Sequence, residues 1–147
     1  MKYKFADGAV VKVNAQIAAE QCEILASQGM LTAKNLVDVS RPEDAPLHNA
    51  FEWNDTIAAE QFREEQARKI IHSLVIVKED REPVRMFFNL VRKDPEYKHI
   101  DVIMRDADDR EKLLQLALRE LETFKKKYET LTELASVFEA IDQVKSA

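Results

Sequence analysis

The sequence predicts an α+β fold: a three-stranded antiparallel meander covered by amphipathic helices, preceded by an N-terminal hairpin and a helix pair. Three observations carry this. Residues 74–77, 84–91 and 97–104 are rich in β-branched and aromatic side chains and are separated only by short polar connections, which favours a meander. On both sides of them, apolar residues recur at threes and fours, the spacing of helices with one buried face. The composition, with 46% apolar and 33% charged residues, 2 Gly and 4 Pro in 147 residues, is that of a folded, helix-leaning chain and not a disordered one.

The elements follow in order. Tyr3 and Phe5, then Asp7-Gly8, then Val10-Val11-Lys12-Val13 read as a hairpin over residues 1–13. Asn14 is placed to cap a helix carrying Ile17, Ala18, Cys22 and Leu25 on its apolar side, with Gly29 as its left-handed stop. Thr32 caps a shorter helix bearing Leu36, Val37 and Val39, which ends before Arg41-Pro42. Two prolines make residues 41–53 an ordered loop. Asn54 or Asp55 then starts a helix running to about His72, with Glu64/Arg68 and Glu65/Lys69 four apart and Ala59, Phe62, Ile70 and Ile71 as its inward edge.

After the three strands, Asp106 caps a long helix whose residues Leu114, Ala117, Leu121, Phe124 and Tyr128 form one apolar stripe. Thr130-Leu131-Thr132-Glu133 has the form of a capping box and opens a last helix with Leu134, Val137, Phe138 and Ile141. The length suits a single domain. It is organised as residues 1–40, the hairpin and helix pair; 41–54, the loop; and 55–147, a helix, the meander and the C-terminal helix pair.

Charge and residue chemistry exclude several function classes. The net charge of -5 is unevenly spread: residues 1–40 sum to zero, 41–80 to -4 and 81–147 to -1. A duplex-binding protein neutralises phosphates with Lys and Arg, and this balance opposes it. Arg92-Lys93 and Lys125-Lys126-Lys127 are local exceptions that read as solvated faces. No apolar run approaches the roughly 20 residues that cross a bilayer, and the first residues lack a signal-peptide core, so a cytoplasmic address and no membrane partner are expected.

Nothing in the sequence assembles a reaction centre. Cys22 alone makes neither an internal disulfide nor a thiolate metal site, and its apolar neighbours mark it as a small core residue. His48, His72 and His99 share no ligand spacing, and His72 falls at a helix C-terminus, where the dipole favours a cation. Asp106, Asp108, Asp109 and Glu111 stand in a first helical turn and lack the glycine and distal glutamate of a calcium loop. A non-enzymatic protein without metal or cofactor is therefore expected.

Two segments stand out as contact surfaces. Pro46-Leu47-His48-Asn49-Ala50-Phe51-Glu52-Trp53 sets the only tryptophan beside a phenylalanine and a histidine in a polar loop. Leu47, Phe51 and Trp53 either plug the core or anchor a recognition surface with His48 and the neighbouring Arg63 or Arg68. The helices on either side of Gly29 have helix-turn-helix spacing, with Lys34 and Asn35 as the polar readers of the second. A plain packing pair is the alternative.

The runs Leu31-Thr32-Ala33-Lys34-Asn35-Leu36-Val37-Asp38, Pro46-Leu47-His48-Asn49-Ala50-Phe51-Glu52-Trp53 and Ala58-Ala59-Glu60-Gln61-Phe62-Arg63-Glu64-Glu65-Gln66-Ala67-Arg68 give the chain a further bearing. In them it resembles small proteins encoded by phages and prophages of Gram-positive bacteria, with similarity reaching into Lys125-Lys126-Lys127-Tyr128 and Phe138-Glu139-Ala140-Ile141. That group carries no established activity, so the resemblance implies a phage setting and assigns no catalytic residue. Small phage proteins of this kind bind DNA, act as assembly or replication accessories, or inhibit a host defence.

The expectation is a phage-encoded regulatory or accessory protein that binds a host or phage protein, or nucleic acid, through Lys34, Asn35, Leu47, His48, Phe51, Trp53, Arg63 and Arg68. The alternatives are an anti-defence inhibitor that captures a host factor or mimics DNA, suggested by the -4 of residues 41–80, and a self-associating structural module joined as a homo-oligomer through the C-terminal helices.

Overall fold

A computed structural model describes residues 2–55, 59–91 and 95–147. The chain is α+β, and its contacts divide it into two compact units, Met1–Val102 and Ile103–Ala147. Among the described residues no helix is long and apolar enough to cross a membrane.

The first unit is built on a three-stranded antiparallel sheet in the order β1 (Lys2–Phe5), β2 (Leu74–Lys78), β3 (Arg81–Arg85). The N-terminal hairpin does not form. A turn is present, with Gly8 at φ +85 and the Ala9 amide donating to the Ala6 carbonyl at 3.1 Å. The strand before that turn nevertheless pairs with β2, Phe5 opposite Leu74 and Tyr3 opposite Ile76. Long-range pairing wins because Leu74 and Ile76 are buried apolar neighbours that a local hairpin does not offer. Residues 10–13 pair with no strand among the described residues, yet their burial alternates as in a strand, Val11 and Val13 packing on the core while Val10 and Lys12 point away.

The second and third expected strands are also redrawn. β3 begins at Arg81 and carries Pro83, which an edge strand tolerates, and its register against β2 shifts between Ile76 and Lys78. At Met86 the chain leaves this sheet: the Met86 amide donates to Leu74 and its carbonyl accepts from Ile100. A separate two-stranded sheet follows, β4 (Phe87–Phe88) with β5 (Lys98–His99). Residues 97–104 are thus mostly not strand. β5 is two residues long and runs directly into a helix, α4 (Ile100–Arg105), whose Asp101 amide donates to His99 Nδ1 at 3.0 Å. The expected Arg92-Lys93 patch and the Lys93-Asp94 part of the connection lie outside the described residues.

The helix pair forms as its caps dictate. Asn14 Oδ1 accepts from the Ile17 amide and starts α1 (Ala15–Ser27). Gly29, at φ +68, ends it with amide bonds from Gly29 to Ala26 and from Met30 to Leu25, the paired closure that a left-handed residue permits. Thr32 Oγ1 accepts from Asn35 and starts α2 (Ala33–Val39). α2 packs on α3 (Ala59–Ser73), and the core gathers Ala18, Cys22, Leu36, Leu47, Ile71 and Phe87, each no more than 1% exposed. Burial pushes the Cys22 thiol up to about 12, as befits a small apolar residue. Ile17 and Val39 lie outward of their expected faces. Any cap of α3 on Asn54 or Asp55 would involve residues 56–58, outside the described ones. Its inward edge is Arg63, Ala67, Ile70 and Ile71; Phe62 is 55% exposed instead.

The second unit is a helical hairpin, α5 (Ala107–Tyr128) and α6 (Ala135–Ser146). Asp106 Oδ1 caps α5 by accepting from Asp109. The expected capping box at Thr130 is replaced by a 3-10 turn over Thr132–Leu134, and α6 starts at Ala135 with no side-chain cap from Leu134. Phe124 meets Phe138 edge-on, and Lys125–Asp142 and Glu122–Lys145 bridge the two helices.

His72 holds the end of α3 to the segment before β5. Its Nε2 lies 2.9 Å from the Tyr97 hydroxyl, and the rings meet edge-on at 5.4 Å. His72 stands in the last turn of α3 as expected, and there partial burial, then Arg85 and Arg68, oppose the dipole and lower the imidazole from its ordinary value, while burial raises the Tyr97 phenol. A base depressed in the folded state binds fewer protons there than when unfolded. Its contribution is therefore complete above the ordinary value of 6.5 and is lost as pH falls below it. Urea midpoints should drop as pH falls below 6.5, and His72→Gln, which cannot titrate, should flatten that slope. An unchanged slope in the variant would remove His72 as its source.

Candidate functional site

The loop that the sequence singled out is locked at its base. It contains a 3-10 turn, His48–Ala50, preceded by Leu47, 1% exposed, and followed by Phe51, 6% exposed. Both belong to the core. His48 Nδ1 donates to the Ser40 carbonyl at 2.9 Å, which ties the turn to the end of α2, and its carbonyl accepts from Trp53 Nε1 at 2.7 Å. The His48 and Trp53 rings stack at 5.0 Å and 5°, and Phe51 tilts against the indole at 5.7 Å. Trp53 itself is half-buried.

Arg63 closes the arrangement from α3. It is 3% exposed, with its guanidinium 5.0 Å from the Trp53 ring centre. Its Nε donates to the Glu52 carbonyl at 2.8 Å, Nη1 to Glu60 at 2.7 Å and Nη2 to Asp55. Every arm of the fork thus has an acceptor, the condition under which a guanidinium is buried without penalty outweighing gain. A charge chain extends outward from it. Glu60 also accepts from Arg41, which lies 5.8 Å from the same indole, and Arg41 in turn bonds Asp38, which pairs with Lys34 at 2.8 Å. Arg41 and then Arg63 hold the Glu60 carboxyl below the usual range, and Lys34 and then Arg41 do the same for Asp38.

Of the eight residues expected to bind, His48, Phe51, Trp53 and Arg63 meet in this cluster with Leu47 beneath it. Lys34 stands at the far end of the charge chain. Asn35 spends its amide on the Met30 carbonyl and its backbone on the Thr32 cap. Arg68 stands apart, paired with Glu65 on an exposed face. The outer side of the loop frames a cleft of about 300 Å³ lined by residues 10–12 and 49–52, with Phe62, Glu65, Gln66, Lys69 and Ile70 of α3. Glu52 donates its amide to Gln66 Oε1 and fixes the loop to that wall. Val10 is 88% and Phe62 55% exposed at the cleft, an arrangement that leaves two large apolar side chains in water.

Sequence reasoning missed Arg41 and Glu60 as members of the network and missed the cleft. The available signal was Phe62, whose helical position is one residue off the buried set Arg63, Ala67 and Ile70. It also missed a polar pin elsewhere in the first unit: Tyr3 Oη donates to Glu23 Oε1 at 2.7 Å, and that oxygen lies 3.7 Å from His99 Nε2. Burial and the Glu23 bond raise the Tyr3 phenol to about 12, so the pin joins β1, α1 and β5 as a neutral donor. Among the described residues no three His, Cys, Asp or Glu side chains are grouped to hold a metal ion.

Compared with known proteins, the chain matches no protein family, no curated protein and no solved structure.

The packing of Trp53 sets a clear expectation. Trp53→Ala removes the stack with His48, the face under Arg63 and the donor to the His48 carbonyl. It should cost about 3 kcal/mol, the low end for a core aromatic because the ring is half-buried, with unfolding still cooperative. Urea denaturation followed by circular dichroism measures this, and a change below about 0.5 kcal/mol, the level of an ordinary surface substitution, would show that the indole does not hold the loop.

Proposed function

We propose that the protein is a phage-encoded accessory protein that acts by binding another protein, and that the cleft beside the aromatic loop takes an extended segment of that partner. The observation that carries this reading is the pairing of exposed Val10 and Phe62 at a cleft whose rim, residues 10–12, pairs with no strand among the described residues. Residues 10–13 have the β-branched composition of a strand and its alternating burial, but no strand partner among the described residues. An incoming peptide supplies one: its backbone pairs with this run, and one or two apolar side chains enter beside Phe62 and Phe51. The cleft charges are balanced, Lys12 and Lys69 against Glu52 and Glu65, which suits a peptide better than a phosphate backbone.

The phage setting rests on the resemblance of the central block, and the absence of catalysis on the scattering of reactive side chains in the sequence. Lys34, Asn35 and Arg68 then serve stability and solubility, and the loop residues shape the cleft from behind.

Peptides selected from a random library against the whole chain test the reading, with Trp53 fluorescence as reporter. Selected peptides should carry apolar residues at alternate positions. Phe62→Ala and Val10→Ser should each weaken them about tenfold while moving stability by less than about 0.5 kcal/mol. Peptides that bind the double variant unchanged, or that are displaced by oligonucleotides, would contradict it.

A further inference from the structure

The second unit leaves apolar surface uncovered on a helix long enough to pair with another. α5 has 22 residues and α6 has 12, lengths of about 33 and 18 Å, so α6 spans little more than half of its neighbour. The contacts place α6 against the C-terminal half: Phe124 meets Phe138, Glu122 meets Lys145 and Lys125 meets Asp142. The stripe expected to be a buried face is largely open. Leu114 is 44% exposed, Leu121 39% and Phe124 38%, and across α5 only Asp109 is buried. Buried apolar residues in this unit are Ile103, Phe138 and Ile141, a small core for a helical pair whose size approaches the roughly 40-residue limit below which chains rarely fold unaided.

We propose that a second copy of this chain covers this face, with the two α5 helices packed antiparallel and the two hairpins forming a four-helix bundle. Two features commit the occupant to a second copy. The stripe Leu114, Ala117, Leu121, Phe124, Tyr128 steps by three and four along α5, which is the seam of a helix that packs against another helix over its whole length. In an antiparallel pair Ala117 of each copy falls opposite Leu121 of the other, so small meets large in the two central layers, and Leu114 falls opposite Phe124 in the outer ones. The charges agree. The N-terminal end of α5 carries exposed Asp106, Asp108 and Glu111 with exposed Arg110 and Lys112 among them, and the C-terminal end carries exposed Lys126 and Lys127. In this register an antiparallel arrangement sets Glu111 of each copy opposite Lys127 of the other, and a twofold axis repeats the pair at both ends. The inference does not depend on the cleft of the first unit, and failure of one leaves the other standing.

Sedimentation of the whole chain over a concentration series is the test. The native chain should dimerise below about 100 µM, the strength expected of a modest helical interface. Leu114→Glu should abolish the dimer while helicity by circular dichroism is kept. Two charge variants separate this seam from any other: Asp108→Lys with Glu111→Lys, and Lys126→Glu with Lys127→Glu. Each alone should weaken self-association at least about tenfold, and an equimolar mixture of the two should restore it. A native chain that stays monomeric, a face covered within the chain so that Leu114→Glu unfolds a monomer, or a dimer indifferent to both charge variants would overturn the proposal.

Discussion

A guanidinium withdrawn from water must find an acceptor for each arm and a surface for its face, and Arg63 finds both. Its three hydrogen-bonding nitrogens meet a backbone carbonyl and two carboxylates, and its plane lies near the only indole in the chain. Those partners come from residues 52–55 and from the first turn of α3, so the side chain joins the loop to the helix across the stretch that links them. The carboxylates remain solvated on their outer sides, which spares the pair the full desolvation of a deep ion pair. Through Glu60 and Arg41 the same constraint reaches α2.

This constraint gives the cleft a rigid wall. Loops that recognise partners work best when their backbone is ordered before binding, because ordering it afterwards subtracts from affinity. Here His48 and Trp53 fix the inner side of the turn, Glu52 and Gln66 fix its outer side, and the opposite rim is residues 10–12, which pair with no strand among the described residues. Order on one rim and open backbone capacity on the other is the combination that strand addition uses.

The helices were legible in the sequence because their signals are local. Asn14, Thr32 and Asp106 each cap the helix they precede, and Gly29 stops α1 with the backbone only a left-handed residue adopts readily. The sheet was legible as to number and sense, not as to membership. Strand pairing is decided by which apolar residues can be buried together, and the partners of Tyr3 and Phe5 lie some seventy residues away. His99 Nδ1 accepting from Asp101 turns the expected third strand into a helix start, a contact no periodicity reveals. The aromatic loop could be singled out by composition, since a Trp in a polar segment needs a cause. Its role in holding Arg63 could not, because an arginine on a helix reads as solvent-facing until its acceptors are known. Phe62 shows the reverse error, an apolar residue assigned inward by type when the helix phase turned it out.

Coupling between Arg63 and Trp53 is the most direct measure of the constraint. A double-mutant cycle on urea stability with Arg63→Gln, Trp53→Ala and the pair should show the double variant less destabilised than the sum of the singles by about 1 to 2 kcal/mol, the range for a desolvated cation against an indole within one network. Additivity within about 0.3 kcal/mol, the behaviour of independent sites, would mean that the guanidinium and the ring hold the loop separately and that no shared lock exists.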